Sequence, residues 1–236
     1  MSQNASDILA EQLTPQRRER FDRVLSERTR GVTVVLENLY DPHNISAVLR
    51  TCEALGIQDV HIVETEHKFK FSSGITKGCE KWLSIYRYPD PAACAKALHD
   101  AGYEIVVADH RPGTPRIESL APVKRRAFWM GAEHYGLSEE AHALADGRYM
   151  IPMHGFTESF NVSVAAAVTL YTARARWQES SGQSGDLSAG EIEEIRMQWL
   201  RRDVAAADAI LARYDVGDDR RSWRTAKTPR SNSHRS

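Results

Sequence analysis

The sequence predicts an α/β fold, a mostly parallel sheet with helices on both faces, and three observations predict it. Short apolar runs recur at 32–37, 60–63, 83–86, 104–108, 127–131 and 149–151, several without the alternation of a half-exposed strand. Helical patterns lie between them at 45–55, 91–101, 138–144 and 162–177. Strands that are apolar throughout are buried on both faces, which is the condition of a parallel strand between two helical layers. Finally, 236 residues, 42% hydrophobic and 27% charged, suffice for one substantial core. The expected organisation is a helical extension over 1–31, the α/β core over 32–178, a linker and helix over 179–217, and a disordered basic tail over 218–236.

The elements are justified in order. Residues 14–30 read as a helix: Thr14 caps it, Pro15 suits its first position, and Phe21, Val24 and Leu25 mark its apolar face. After the first strand the chain turns at Asp41-Pro42 and enters the 45–55 helix, which Asn44 is placed to cap. Ile45, Val48, Leu49, Cys52 and Leu55 form its buried stripe, and Gly56 suits the position just past its end. Arg50 then points away from the core near the carboxyl end of the first strand, where open α/β sheets bind ligands. Beyond Gln178, the run Ser180 to Gly185 is expected to be a flexible hinge. A long charged helix should come next over 188–213, with Ile192, Ile195, Trp199 and Leu200 as a stripe that packs on the parent domain or on a second subunit.

Net charge is −1, so nothing global announces a nucleic-acid partner, but the charge is unevenly placed. Arg17, Arg18, Arg20, Arg23, Arg28 and Arg30 cluster near one end, and Arg220, Arg221, Arg224, Lys227, Arg230 and Arg235 near the other. Such clusters suit phosphates and salt-sensitive binding, although solvated basic helices also occur in proteins that bind no RNA. The most apolar stretch, 162–171, is about half of what crosses a bilayer, and residues 1–7 carry no apolar signal segment. The expected location is cytoplasmic, with no membrane partner. Cys52, Cys79 and Cys94 are odd in number and widely spaced, and read as free thiols. His43, His134 and His154 lack metal-site spacing, so no metal is expected. Gly-x-Gly-x-x-Gly, Walker and Gly-x-Ser-x-Gly patterns are all missing, which counts against dinucleotide dehydrogenases, P-loop enzymes and common serine hydrolases.

Three segments carry candidate chemistry. The first runs from Leu36 to Thr51 and holds Asn44 and Arg50, which also read simply as a capping residue and a surface cation. The second, Gly131-Ala132-Glu133-His134-Tyr135-Gly136, comes after an apolar strand, and its two glycines imply close backbone approach. Glu133 there either binds a hydroxyl or amine or braces the turn. The third runs from Tyr149 through Ile151, Met153, Ser159, Phe160 and Asn161 into an apolar helix. Its helix start favours an anion, and Ser159 and Asn161 offer polar contacts or merely a cap.

In this order and spacing the segments resemble the three signature motifs of the SPOUT-class TrmH family, RNA 2′-O-ribose methyltransferases, across residues 32–177. Asn44 and Arg50 match the first motif, Glu133 the second, and Ser159 with Asn161 the third. The resemblance implies a C-terminal trefoil knot holding S-adenosylmethionine, largely through backbone at Ala108, Gly131, Ile151, Met153 and Phe160. A Phe at 160, where Leu is more usual, keeps an apolar contact. It further implies a homodimer with the active site between subunits. Helical extensions at both ends look more like the family's tRNA enzymes than its ribosomal-RNA ones, so the implied partner is tRNA and the implied target the D-loop guanosine 18.

By the same resemblance a ribose 2′-oxygen attacks the cofactor methyl in line, and Arg50 has the activating role. A free guanidinium titrates above about 12 and is a poor base near neutrality, so stabilisation of the developing alkoxide is the preferred role. An RNA phosphate and the Asn44 amide are expected to hold Arg50, with Glu133, Ser159 and Asn161 shaping the pocket. Ribosomal RNA or another tRNA ribose remains the alternative substrate. A non-catalytic knotted RNA-binding protein and a small-molecule α/β enzyme are the alternatives of other classes.

Overall fold

The computed structural model describes residues 4–65, 78–132 and 135–214. Its single sheet has the order β3-β2-β1-β5-β4-β6, built from β1 (Val32–Glu37), β2 (Asp59–Val63), β3 (Ser84–Tyr88), β4 (Glu104–Ala108), β5 (Arg126–Met130) and β6 (Gly147–Tyr149). Every pairing is parallel. β1 and β2 are buried at each position, and the polar side chains of β1 find partners inside. The Thr33 hydroxyl donates to the Asp59 carbonyl at 2.6 Å, and the Trp129 indole N–H to the Glu37 carboxylate at 3.0 Å.

Alternate residues of the strands feed two cores. Val34, Leu36, Val60, Ile62 and Phe128 pack beneath α3 (Pro42–Ala54) and α6 (Val162–Ser181), while Val35, Val63, Val107 and Trp129 pack beneath α4 (Pro91–Asp100) and α5 (Glu139–Leu144). The expected two-faced α/β layering is therefore the one observed.

A third cluster joins the two ends of the described chain. Ile8 and Leu9 of α1 (Ala5–Ala10) and Phe21 and Leu25 of α2 (Pro15–Ser26) meet Ile195, Trp199 and Leu200 of α7 (Ala189–Asp203) and Leu211 of α8 (Ala207–Arg213). The apolar stripe near the carboxyl end is thus satisfied within the same chain. The single long helix expected over 188–213 is broken: Ala206 adopts φ 58°, and the bend swings Ala207 and Leu211 onto the shared cluster. Burial of apolar surface outweighs helix continuity there.

Thr14 caps α2 as expected, accepting from the Arg17 N–H at 3.2 Å, but the helix ends at Ser26, short of Arg30. Contacts made by residues 28–30 explain the early end. Arg28 is fully buried, donating to the Ile57 carbonyl at 3.3 Å and to Glu53 at 3.2 Å, with its guanidinium 5.1 Å from the centre of the Trp199 ring. Burial lowers its pKa below the ordinary guanidinium range, against the pull of Glu53. Arg30 lies 3.1 Å from the Asp59 carboxylate and pairs with Glu191. The segment expected to be a hinge is pinned to this seam. Asp186 accepts from the Arg30 N–H at 2.8 Å and donates its own N–H to the Arg28 carbonyl at 3.1 Å. Gly185 presses so close that any Cβ would strike the Ser26 and Arg28 carbonyls. The missing side chain of Gly185 serves close packing rather than flexibility.

Candidate functional site

The sheet topology creates the site. β1 and β5 are neighbours, with Leu36 opposite Met130, yet the chain leaves β1 toward the α3 face and β5 toward the α5 face. Loops that diverge at the carboxyl ends of adjacent parallel strands open a crevice, the usual ligand position in such sheets. Asn38 sets the first loop in a left-handed conformation, φ 49°, and its amide exchanges hydrogen bonds with Thr65 at 2.7 and 3.0 Å, tying the ends of β1 and β2 together.

Asn44 does not cap α3. Pro42 fills the first helical position and the Asp41 carboxylate takes the cap, accepting from the His43 N–H at 2.9 Å. Asn44 is consequently inside the first turn, 8% exposed, and its Oδ1 accepts from Asn161 Nδ2 at 3.2 Å. Asn161 caps α6, its own Oδ1 accepting from the Ser163 N–H at 2.9 Å. An amide pair thus joins the first and third motifs where two helices begin. Ser159 is exposed in the loop just before it.

The second motif folds on itself. The Gly136 N–H donates to the Ala132 carbonyl at 2.8 Å with Gly136 at φ 67°, and any Cβ on Gly131 would collide with the Gly136 carbonyl. The close approach that the glycines imply is to the loop's own backbone. Glu133 lies outside the described residues.

Register sets two of the expected cofactor contacts, Ala108 and Gly131, at adjoining strand ends. β4 lies between β5 and β6, so Ala108 faces Tyr149 and sits beside the strand end that leads into Gly131. Ala108 is exposed although the three residues before it are buried, and Gly131, Ile151 and Met153 are half-buried. Phe160, 41% exposed, comes later in the loop to α6. Small or absent side chains at adjoining strand ends leave backbone open to a ligand, which fits a cofactor held mainly by main-chain groups. The loop after β4 is braced by Asp109, which accepts from the Arg111 N–H at 2.9 Å and Nε at 2.7 Å.

Arg50 occupies a different side of α3. It is six residues beyond Asn44, about 9 Å along the axis and about a third of a turn around it. This sets Arg50 apart from the Asn44 amide, which pairs with Asn161 and which the resemblance led us to expect, together with an RNA phosphate, to help hold Arg50. Arg50 instead opens onto a cavity of about 500 Å³ that it shares with Arg17, Arg20, Lys81 and Trp82. Arg17 and Lys81 both reach Asp203, at 2.9 and 3.2 Å, and Arg17 lies 5.5 Å from the Trp82 ring centre. Among the described residues no carboxylate stands within ion-pair distance of Arg20 or Arg50. Lys81 and Trp82 were not legible as site residues, since nothing in the sequence around them signals that a short 3-10 turn carries them to α2. No group of three or more metal-ligating side chains occurs among the described residues.

A model of the SpoU rRNA Methylase family matches residues 31–171. This chain belongs to the SpoU methylase family. Over 197 residues this SpoU methylase is 34% identical to the tRNA (guanosine(18)-2′-O)-methyltransferase of Borreliella burgdorferi, covering 84% of this chain and 90% of that protein. It is 36% identical over 190 residues to the enzyme of the same name from Thermus thermophilus, covering 80% and 98%. The crystal structure of the A. aeolicus TrmH/SpoU tRNA modifying enzyme superposes with a TM-score of 0.73 at 32% identity, covering 80% of this chain and 98% of that one. The resemblance read from three short motifs therefore extends through the whole α/β core of this SpoU methylase.

Proposed function

We propose that this SpoU methylase transfers a methyl group from S-adenosylmethionine to a ribose 2′-hydroxyl of tRNA, at guanosine 18. The observation that carries the reading is the placement of Arg50. It opens onto a cavity that it shares with Arg17 and Arg20 of the basic α2 helix and with Lys81, an array of cations suited to the phosphates of an RNA strand. The relatives named for guanosine 18 align over four-fifths or more of the chain, which supports the substrate.

S-adenosylmethionine, when bound, supplies an electrophilic sulfonium methyl. Ala108, Gly131, Ile151, Met153 and Phe160 hold it at the carboxyl ends of β4, β5 and β6, in the segment that we assign to the family's trefoil knot. Arg20 and Lys81 grip phosphates along the groove, and Arg50 stabilises charge developing on the attacking oxygen. The Asn44–Asn161 pair fixes the α3 and α6 termini against each other, with Ser159 and Glu133 completing the ribose pocket.

The homodimer belongs to the same reading. Val164, Val168 and Tyr171 form an exposed stripe on α6 at i, i+4 and i+7, and Phe156 and Phe160 extend it. A second copy of this face covers it and brings two crevices together. Light scattering is expected to give twice the chain mass, and Val168→Lys the single mass. Among the described residues no helix is long and apolar enough to cross a membrane, and the proposed location is cytoplasmic, where tRNA is modified.

The test is transfer of labelled methyl from S-adenosylmethionine to unmodified tRNA and, separately, ribosomal RNA, with mapping of 2′-O-methylated nucleotides and Arg50→Ala as control. Label at guanosine 18, lost in the variant, is the expected outcome. Label on ribosomal RNA alone overturns the substrate. Cofactor binding with no label on either RNA overturns the activity in favour of a non-catalytic RNA-binding protein.

A further inference from the structure

A larger cavity, about 670 Å³, lies on the other face of the sheet, under α4 and along β2 and β3, and none of the three motif loops lines it. β3 is an edge strand and half-buried throughout, in contrast to β2 beside it. On this face the two strands present rings instead of aliphatic side chains. His61 stacks on Tyr86 with centroids 5.1 Å apart and on Tyr88 at 5.8 Å, the planes within 20°, and Tyr103 meets His61 edge-on at 6.4 Å. Opposite these rings α4 contributes Ala93 and Ala97, with Lys96 and Asp100 beside them, which leaves a slot between an aromatic wall and a helix. A packed core fills such a space with Leu or Ile.

The wall also contains polar atoms without partners. Asp59 is 6% exposed; Oδ2 faces Arg30 at 3.1 Å, while Oδ1 has no hydrogen bond. His61 is equally buried; Nδ1 lies 3.0 Å from the Tyr88 hydroxyl, and Nε2 has no partner. Buried polar atoms are almost always paired, and two orphans in one wall call for an explanation. Both sit just beneath the cavity surface, closed to water, so a small side-chain adjustment accompanies their satisfaction. At the rim, Lys96 is well exposed and paired with Asp100 at 2.7 Å, and Arg125 lies 5.6 Å from the Tyr103 ring centre, so two cations and a carboxylate border the mouth and an anion there competes with Asp100 for Lys96.

We propose that this cavity is a second binding site, which stacks a nucleobase on Tyr86 and Tyr88 and meets its phosphate with Lys96 and Arg125. Flat rings on a tyrosine platform are the general means of holding a base without regard to its identity. A heterocycle with a polar edge answers the orphaned atoms in a way that a hydrocarbon ring does not. The base comes either from a free nucleotide or from an unpaired residue of a bound RNA, and the two sources share this chemistry.

The test uses the full chain, with cytidine and uridine 5′-monophosphates as probes, because neither carries the adenine of the methyl donor or the guanine of the proposed acceptor. It requires no cofactor and no methyl transfer, so it stands or falls separately from the proposed activity. Calorimetric titration is expected to show one saturable site, weakened about tenfold or more by Ala97→Phe, which fills the slot, and by Tyr86→Leu, which removes the platform. Ala97→Phe leaves the buried polar groups in place, and an unchanged circular dichroism spectrum and thermal midpoint guard against misfolding. Loss of monophosphate binding with unchanged affinity for unmodified tRNA identifies a free nucleotide. Loss of both, by a similar factor, identifies an RNA base. Absence of saturable binding by either monophosphate together with unchanged tRNA affinity in Ala97→Phe overturns the proposal, as does monophosphate binding that Ala97→Phe leaves intact.

Discussion

Arg28 and Arg30 stand on one side of the molecule's distribution of charge, Arg20 and Arg50 on the other. Arg28 is wholly enclosed by the Ile57 carbonyl, Glu53 and the Trp199 ring, and Arg30 is pinned between Asp59 and Glu191. Arg20 and Arg50 face a shared groove with no carboxylate at ion-pair distance among the described residues. All but Arg50 belong to the one basic run near the start of the sequence. The difference teaches that a cluster of arginines is not a unit: a guanidinium paired inside the protein holds its helices together, whereas one facing solvent retains its charge for a partner.

The largest expected effect tests the exposed pair. Arg50→Ala lowers methyl transfer to unmodified tRNA by about 10²–10³, the scale for removing one stabiliser of developing negative charge, and leaves the thermal midpoint unchanged. A normal rate in that variant breaks the distinction from the catalytic side. Arg28→Ala does the reverse. Loss of a buried, hydrogen-bonded cation costs about 3 kcal/mol, at the low end for buried pairs because Glu53, whose side chain is 32% exposed, regains water. Denaturant unfolding measures this loss, and activity per folded molecule should survive.

Gly185→Val sharpens the same point on the backbone. Its side chain would meet the Ser26 and Arg28 carbonyls, so the seam must open, at about 2 kcal/mol by denaturant unfolding. A neutral result would restore the hinge that composition suggests for 180–185. The smallest effect belongs to Arg20→Ala: RNA affinity falls about tenfold at low salt and the dependence of log K on log salt flattens by about one ion, with stability unchanged. Filter retention at several salt concentrations reads both.

Much of the fold was written locally. The six strands and the helices between them follow from apolar runs and caps, because a central parallel strand must be apolar on both faces and a helix end must satisfy its own N–H groups. Thr14, Ser138 and Asn161 cap where their neighbours say they should. The first motif misled at one point for an equally local reason, since Asp41-Pro42 is a stronger helix start than Asn44. Motif order and spacing alone led to the methylase family, which the match over 31–171 then established.

Only the tertiary structure decided what those residues meet. The partnership of Asn44 with Asn161, the groove uniting Arg50 with Arg20 and Lys81, and the burial of Arg28 all join positions far apart in the chain. Charge, propensity and periodicity are properties of a segment, whereas burial and partnership depend on which segments the sheet order sets side by side. The sequence by itself therefore determined the class of fold and the family of chemistry. The packed chain determined which arginines are structural and which are free to act.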